Sequence, residues 1–177
     1  MDRTALFLDR DGVINKAYVK DGKSYPPSTL EEFIFLDRVK EALLLSRSLG
    51  FLNILVTNQP DVGEGRQSLE VVNKMHEVGQ KNLPIDDIFV CTHVDLDYCV
   101  CRKPLPGMLI AAAEKWQIDL KRSFLVGDRW RDVGAAHAVG CEAFFVDYGY
   151  DEQRPSSPYH VVTSLYEAVG QIRDQIR

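Results

Sequence analysis

Short apolar segments alternate with helical patterns along nearly all of this chain. The apolar segments 4–8, 51–56, 85–90, 123–126 and 143–146 predict strands, and 160–163 predicts an edge strand. Helical patterns lie at 38–49, 68–82, 106–117, before 140 and from about 164, with Ser68 as a capping residue and Pro106 as a first helical residue. Strands that alternate with helices pair mainly in parallel. The expected fold is therefore α/β, a doubly wound, mostly parallel sheet, in a single domain over 1–177.

Polar residues follow several of these predicted strands. Asp9 and Asp11 follow the first strand, Thr57 ends the second, and Asp128 follows the fourth. In open parallel sheets the ligand lies beyond the carboxyl ends of the strands. Two carboxylates two residues apart repel each other, and each disfavours ionisation of the other unless a cation or distinct roles separate them. Such a pair is typical of enzymes that transfer a group to one carboxylate while the other acts as acid and then base, usually with a hard divalent metal. The alternative is a capping Asp followed by a turn at Gly12.

Composition argues against several classes of partner. The chain has 21 Lys and Arg against 26 Asp and Glu, a net charge of −5, and no basic run that would bind nucleic acid. No apolar stretch is long enough for a membrane span, and the start of the sequence does not read as a secretory leader. We expect a monomer, because no exposed apolar stripe requires a partner. Since no secretory leader is recognised, we expect the protein in the cytoplasm.

Three of the four cysteines lie close together with a histidine among them. Cys91, His93, Cys99 and Cys101 supply three sulfurs and one imidazole, with one residue between the members of each pair. This donor set is typical of a tetrahedral structural zinc site with no position left for water. Free cysteines in a loop are the alternative. We therefore predict a zinc loop at about 91–101, and Cys141 as a small buried residue.

Four motifs in a fixed order resemble the haloacid dehalogenase (HAD) superfamily of phosphatases, and more narrowly its capless branch. They are Asp9-Arg10-Asp11-Gly12-Val13-Ile14-Asn15, Thr57-Asn58-Gln59, Cys101-Arg102-Lys103-Pro104, and Gly127-Asp128 with Asp132. The resemblance covers about residues 4–148. It implies a Rossmann-like core without a cap domain, and the zinc loop is shared with that branch.

The resemblance also implies roles for individual residues. Asp9 would be the nucleophile, and Asp11 the general acid and then the base. Mg²⁺ would be held by the Asp9 carboxylate, the Asp11 backbone carbonyl and Asp128. Thr57 and Lys103 would hold the phosphoryl group.

Other residues receive weaker interpretations. We expect substrate contacts from four residues: Tyr18, Asn58, Arg102 and Arg129. Asp132 either orients Lys103 or Arg129, or caps its helix. His76 lies on a helical pattern and is expected at the surface or its boundary.

The substrate implied by the resemblance is a small phosphate ester. Asn15 and the Tyr18-Val19 pair favour D-glycero-D-manno-heptose 1,7-bisphosphate, cleaved at C7 in the synthesis of lipopolysaccharide precursors. The five residues between His93 and Cys99 favour histidinol phosphate instead. Glu64 stands where the heptose enzymes usually have an arginine that could serve a second phosphate. A binding module without catalysis and a nucleic-acid 3′-phosphatase are further alternatives.

Overall fold

Six parallel strands form the main sheet in the computed structural model, which describes residues 3–176. Those residues contain eight strands: β1 (Thr4–Leu8), β2 (Tyr18–Lys20), β3 (Lys23–Tyr25), β4 (Phe51–Asn58), β5 (Asp87–Cys91), β6 (Phe124–Gly127), β7 (Glu142–Val146) and β8 (His160–Val162). The sheet order is β5-β4-β1-β6-β7-β8, and β2 and β3 pair separately as an antiparallel hairpin. β1 therefore lies inside the sheet, between β4 and β6.

Helices cover both faces of this sheet. They are α1 (Val39–Ser48), α2 (Pro60–Gly63), α3 (Leu69–Asn82), α4 (Gly107–Trp116), α5 (Trp130–Val139) and α6 (Leu165–Gln175). Side chains of a strand alternate between faces, so Leu6 and Leu8 of β1 share a core with α1 and α6, whereas Ala5 and Phe7 share one with α4 and α5. The predicted doubly wound α/β fold is confirmed. Among residues 3–176, no helix combines the length and apolar character needed to span a membrane.

The helix starts differ in detail from those predicted. Ser68 is the N-cap residue of α3, but its hydroxyl makes no capping hydrogen bond. Pro106 precedes α4 rather than opening it. At α6 the Ser164 hydroxyl accepts a hydrogen bond of 3.2 Å from the backbone N–H of Glu167, which satisfies one unpaired donor of the first turn.

The β2–β3 hairpin lies in a segment for which the sequence pattern predicts neither a strand nor a helix. Its two-residue turn is Asp21-Gly22, and both residues have positive φ, 51° and 74°. An Asp-Gly pair is a strong hairpin signal because these residues tolerate the left-handed backbone of a type I′ turn. The flanking strands of three residues each are too short and too exposed to show alternation.

Candidate active site

The predicted catalytic residues meet at the carboxyl ends of β1, β4 and β6. Asp9 directly follows β1, Thr57 is the last residue but one of β4, and Asp128 directly follows β6. A cavity of about 250 Å³ opens at this edge of the sheet. Its charged lining residues are Asp9, Asp11, Asp61, Asp132, Arg66, Arg102, Lys103, Arg129 and Arg131.

Lys103 is the buried cation of the cavity. Its Nζ donates hydrogen bonds to Asp9 Oδ1 at 2.9 Å, to Asp132 Oδ1 at 2.5 Å and to the carbonyl of Val56 at 2.7 Å. Burial lowers the pKa of Lys103, but the charges of Asp132 and Asp9 outweigh it and hold the pKa above its usual value. The ammonium group therefore stays protonated and directed at Asp9.

A third buried carboxylate, that of Asp128, lies close to the two that bind Lys103. Oxygens of Asp9, Asp128 and Asp132 lie within 4.8 Å of one another. Burial and the charge of Asp132 raise the pKa of Asp9 to about 6, against the opposing effect of Lys103. Burial and the charges of Asp9 and Asp132 likewise raise the pKa of Asp128 well above its usual value. The cluster thus has more negative than positive charge, and a bound cation would stabilise it.

Asp128 supports the fit of a hard divalent cation at this position. Its Oδ2 accepts a hydrogen bond of 2.8 Å from the hydroxyl of Tyr150. Its Oδ1 is buried and has no hydrogen-bond partner among residues 3–176. An unpaired buried carboxylate oxygen is costly unless a cation satisfies it. Gly12 leaves room for the Asp128 carboxylate, because a Cβ at residue 12 would lie 2.1 Å from Asp128 Oδ2.

The Asp11 carboxylate is held by donors on three other residues. It accepts hydrogen bonds from Arg10 Nε and Nη2 at 3.1 Å, and from Asn15 Nδ2 and Gln59 Nε2 at 2.9 Å. The same Gln59 nitrogen donates to the hydroxyl of Thr57 at 2.9 Å. Gln59 thus ties the proposed acid–base residue to the end of β4.

His76 is buried, which corrects the expectation that it lies at the surface or its boundary. Only 7% of the residue is exposed, and its Nε2 lies 3.3 Å from Nη1 of Arg10. Burial, and then the charge of Arg10, lower the pKa of His76 to about 4, so the neutral ring accepts the hydrogen bond from the guanidinium. His76 therefore supports Arg10, which in turn holds Asp11.

Asp132 performs two of the tasks that the sequence left open. Its Oδ1 accepts the hydrogen bond from Lys103, and its Oδ2 accepts one of 3.0 Å from the backbone N–H of Arg129. The first bond orients the lysine, and the second caps the start of α5.

The cysteine–histidine loop brings its four predicted ligands together. The Sγ of Cys91 lies 3.6 Å from His93 Nδ1, 3.8 Å from Cys99 Sγ and 3.1 Å from Cys101 Sγ. All four ligand atoms lie within 4.8 Å of one another, and the cysteines are free thiols. Ligands of a tetrahedral zinc with bonds of about 2.3 Å lie about 3.8 Å apart, so the donor set fits this metal.

The chain resembles known phosphatases in structure and in sequence. The crystal structure of D,D-heptose 1,7-bisphosphate phosphatase from B. bronchiseptica, complexed with magnesium and phosphate, matches with a TM-score of 0.83 and 28% identity over 97% of this chain and 99% of that one. The HAD-hydrolase-like family model matches residues 100–168. The D-glycero-beta-D-manno-heptose-1,7-bisphosphate 7-phosphatase of Pseudomonas aeruginosa is 33% identical over 97% of both chains. The chain belongs to the HAD-like phosphatases.

Further relatives of this HAD-like phosphatase act on the other anomer. The D-glycero-alpha-D-manno-heptose-1,7-bisphosphate 7-phosphatase of Burkholderia mallei is 38% identical over 79% of this chain and 77% of that protein. The family resemblance predicted from the motifs is confirmed, and the protein is a phosphoric monoester hydrolase. Phosphatases of this family use Mg²⁺, in agreement with the oxygen donors of Asp9 and Asp128.

The residues predicted to contact substrate in this HAD-like phosphatase have different surroundings. Asn58 accepts a hydrogen bond from the backbone N–H of Lys103 and donates one to its carbonyl, both at 3.0 Å, so its amide is occupied in positioning the lysine. Tyr18 donates to the carbonyl of Glu32 at 2.9 Å and is not among the residues that line the cavity. Its substrate contact stays a prediction.

The predicted arginine contacts do line the cavity of this phosphatase, and each is paired with an acid. Arg102 Nε donates to Asp95 Oδ1 at 2.6 Å. Arg129 donates to both carboxylate oxygens of Glu152, through Nε at 3.0 and 2.9 Å and through Nη2. Any phosphate that Arg129 binds must therefore compete with Glu152.

Several site residues were missed in the sequence. Arg66 lines the cavity and pairs with Asp61 and Glu64, so it supplies a positive charge two residues beyond the position where Glu64 replaces an arginine. Tyr150 and Glu152 follow β7, whose carboxyl end lies at the same edge of the sheet as the other site residues. That rule of sheet topology is the signal that could have found them.

Proposed function

We propose that this phosphatase hydrolyses the C7 phosphate of D-glycero-D-manno-heptose 1,7-bisphosphate. The observation that carries the proposal is the ring of arginines around the buried Asp9–Lys103 pair. The ring consists of Arg66, Arg102, Arg129 and Arg131, all of which line the cavity. A second phosphate on the substrate would give these guanidinium groups a further anionic partner besides the acids with which they pair. The relatives named for both anomers of this bisphosphate support the same substrate.

The proposed reaction has two steps on the same carboxylate. An oxygen of Asp9 attacks phosphorus in line, the bond from phosphorus to the C7 oxygen breaks, and Asp11 protonates that leaving oxygen. Asp11 then removes a proton from water, which attacks the aspartyl-phosphate and releases inorganic phosphate and the free Asp9 carboxylate. Lys103 lies 2.9 Å from Asp9 and would counter the negative charge of the phosphoryl group. Thr57 would help to hold that group.

The magnesium site we propose consists of Asp9, Asp128 and the backbone carbonyl of Asp11. When bound, Mg²⁺ supplies the positive charge that draws phosphoryl oxygens toward the nucleophile. The protein's own part is to hold the oxygen donors buried and preorganised. The unpaired Oδ1 of Asp128 and the raised pKa of Asp9 support this assignment.

We further propose a structural zinc ion on Cys91, His93, Cys99 and Cys101. With every ligand position filled, such an ion would brace the loop and take no part in the chemistry. Arg102 follows the last ligand directly and donates to the carbonyl of His93 at 3.3 Å as well as to Asp95. The zinc would therefore fix the direction in which this arginine enters the cavity.

The single-domain, monomeric and cytoplasmic expectations remain part of this proposal. The four free thiols support a reducing compartment. A small charged substrate such as a sugar bisphosphate fits the size and charge of the cavity, and the acidic net charge of −5 does not favour nucleic acid.

The test is phosphate release with Mg²⁺ from both anomers of heptose 1,7-bisphosphate and from histidinol phosphate. Histidinol phosphate is included because the zinc loop has only five residues between His93 and Cys99. The Asp9→Asn variant is the blank and is expected to show no turnover. A higher kcat/KM for one heptose anomer supports the proposal, and a preference for histidinol phosphate would overturn the substrate assignment.

A further inference from the structure

The segment after β7 returns to the edge of the sheet and contacts the first motif. The hydroxyl of Tyr148 donates to the carbonyl of Gly12 at 2.9 Å, and the backbone N–H of Asp151 donates to the carbonyl of Gly22 at 2.8 Å. The rings of Tyr148 and Tyr150 stack with their centroids 5.6 Å apart. The ring stack and the hydrogen bond from Asp151 hold the Tyr150 hydroxyl beside the carboxylate cluster.

Tyr150 treats the two oxygens of Asp128 differently. Its hydroxyl donates to Oδ2 at 2.8 Å, and in the part of the chain that the structure describes it is the sole side-chain donor to this carboxylate. The other oxygen, Oδ1, is buried without a partner among those residues. A fixed Oδ2 restricts rotation of the Asp128 carboxylate, one oxygen of which lies within 4.8 Å of carboxylate oxygens of Asp9 and Asp132.

We propose that Tyr150 is a positioning residue for magnesium, which acts through Asp128 and touches neither the cation nor the substrate. The inference rests on the proposed assignment of Asp128 as a metal ligand. A hydrogen bond to the second oxygen of a ligating carboxylate orients it and favours its ionised form. Loss of such an outer partner typically lowers metal affinity about 10- to 100-fold.

The test is Mg²⁺ binding to the full-length Tyr150→Phe protein with its zinc loop intact. Titration calorimetry with MgCl₂ alone is expected to show a dissociation constant at least about tenfold above that of the wild type. The rise in Tm on addition of Mg²⁺ should shrink in parallel, and excess Mg²⁺ should restore turnover with an unchanged KM for substrate. Tyr148→Phe is the matched control, because it loses one hydroxyl from the same ring stack but not the bond to Asp128.

The outcomes separate this inference from the proposed function. Wild-type Mg²⁺ affinity in Tyr150→Phe would overturn the role of Tyr150. An equal loss of Mg²⁺ affinity in Tyr148→Phe would also overturn it, because it would show a general effect of the segment. Wild-type affinity in Asp128→Asn would overturn the metal site itself and this inference with it. A Tm for Tyr150→Phe without Mg²⁺ close to that of the wild type would show that its lower affinity does not come from misfolding.

Discussion

Asp9 is expected to destabilise the folded protein whenever magnesium is absent. Its pKa is raised from 3.8 to about 6, first by burial and then by the neighbouring carboxylate of Asp132. The unfolded chain ionises this group at its usual pKa, so keeping the charge in the folded state at pH 7.5 costs about 3 kcal/mol. We predict that Asp9→Asn, which keeps the shape and removes the charge, stabilises the magnesium-free protein by up to this amount.

The direction in which stability changes with pH distinguishes the effect of the Asp9 charge from that of His76. Because the pKa of Asp9 is raised in the folded state, the wild type loses stability as the pH rises from about 4 through about 6. The stabilisation of Asp9→Asn relative to the wild type should therefore fall at pH 5 to about half of its value at pH 7.5. His76 acts in the opposite direction over the same range, because its pKa falls from 6.5 to about 4 on folding. The pH profile of the wild type alone is therefore not informative, and the difference between the two proteins is the quantity to measure.

The assay is thermal and urea unfolding of both proteins in magnesium-free buffer at pH 7.5 and pH 5. Chelators are omitted so that zinc is retained. For a chain of this length, about 3 kcal/mol corresponds to a Tm difference of roughly 6–12 °C. Addition of Mg²⁺ should stabilise the wild type more than Asp9→Asn. The reasoning is refuted if the variant is no more stable than the wild type at pH 7.5, or if its advantage does not shrink on acidification.

Two further predictions concern the zinc loop and the arginine ring. Cys99→Ser should lose zinc in metal analysis and have a lower kcat/KM for the bisphosphate. Cys141→Ser changes a cysteine outside the loop and should keep its zinc and its kcat/KM. Full activity of Cys99→Ser without zinc would contradict the bracing role. Glu152→Gln should release Arg129 and lower the KM for a bisphosphate by up to about fivefold, with no change for a monophosphate. Glu70→Gln, which breaks an ion pair on α3, is the control. A higher KM in Glu152→Gln would contradict the prediction, because it would mean that Glu152 positions Arg129 for the substrate.

The fold could be predicted because each strand of the main sheet carries its own local signal. Apolar runs such as 4–8 and 51–56 stand out against long helical patterns, and parallel topology then places Asp9, Thr57 and Asp128 at one edge. The four predicted zinc ligands of the loop follow from their residue types and their spacing. These features are local in sequence, or follow from one rule of sheet geometry.

The contacts that tune the site could not be predicted in the same way. Arg10 and His76 are 66 residues apart, and a histidine on a helical pattern gives no sign of the buried guanidinium it meets. The hydroxyl of Tyr150 reaches Asp128 across 22 residues, and Glu152 reaches Arg129 across 23. Such partners depend on where a loop folds back, which neither periodicity nor motif spacing encodes.

The two hydrogen bonds between Asn58 and the main chain of Lys103 separate two parts of the enzyme that adjoin in sequence. Because the lysine is anchored to the end of β4, the residues before it can change in number or composition while the ammonium keeps its distance from Asp9. Substitutions in the loop between β5 and Lys103 would therefore leave the Asp9–Lys103 pair in place. A chain built in this way can vary the loop beside its cavity and keep the carboxylate and the ammonium group that face each other.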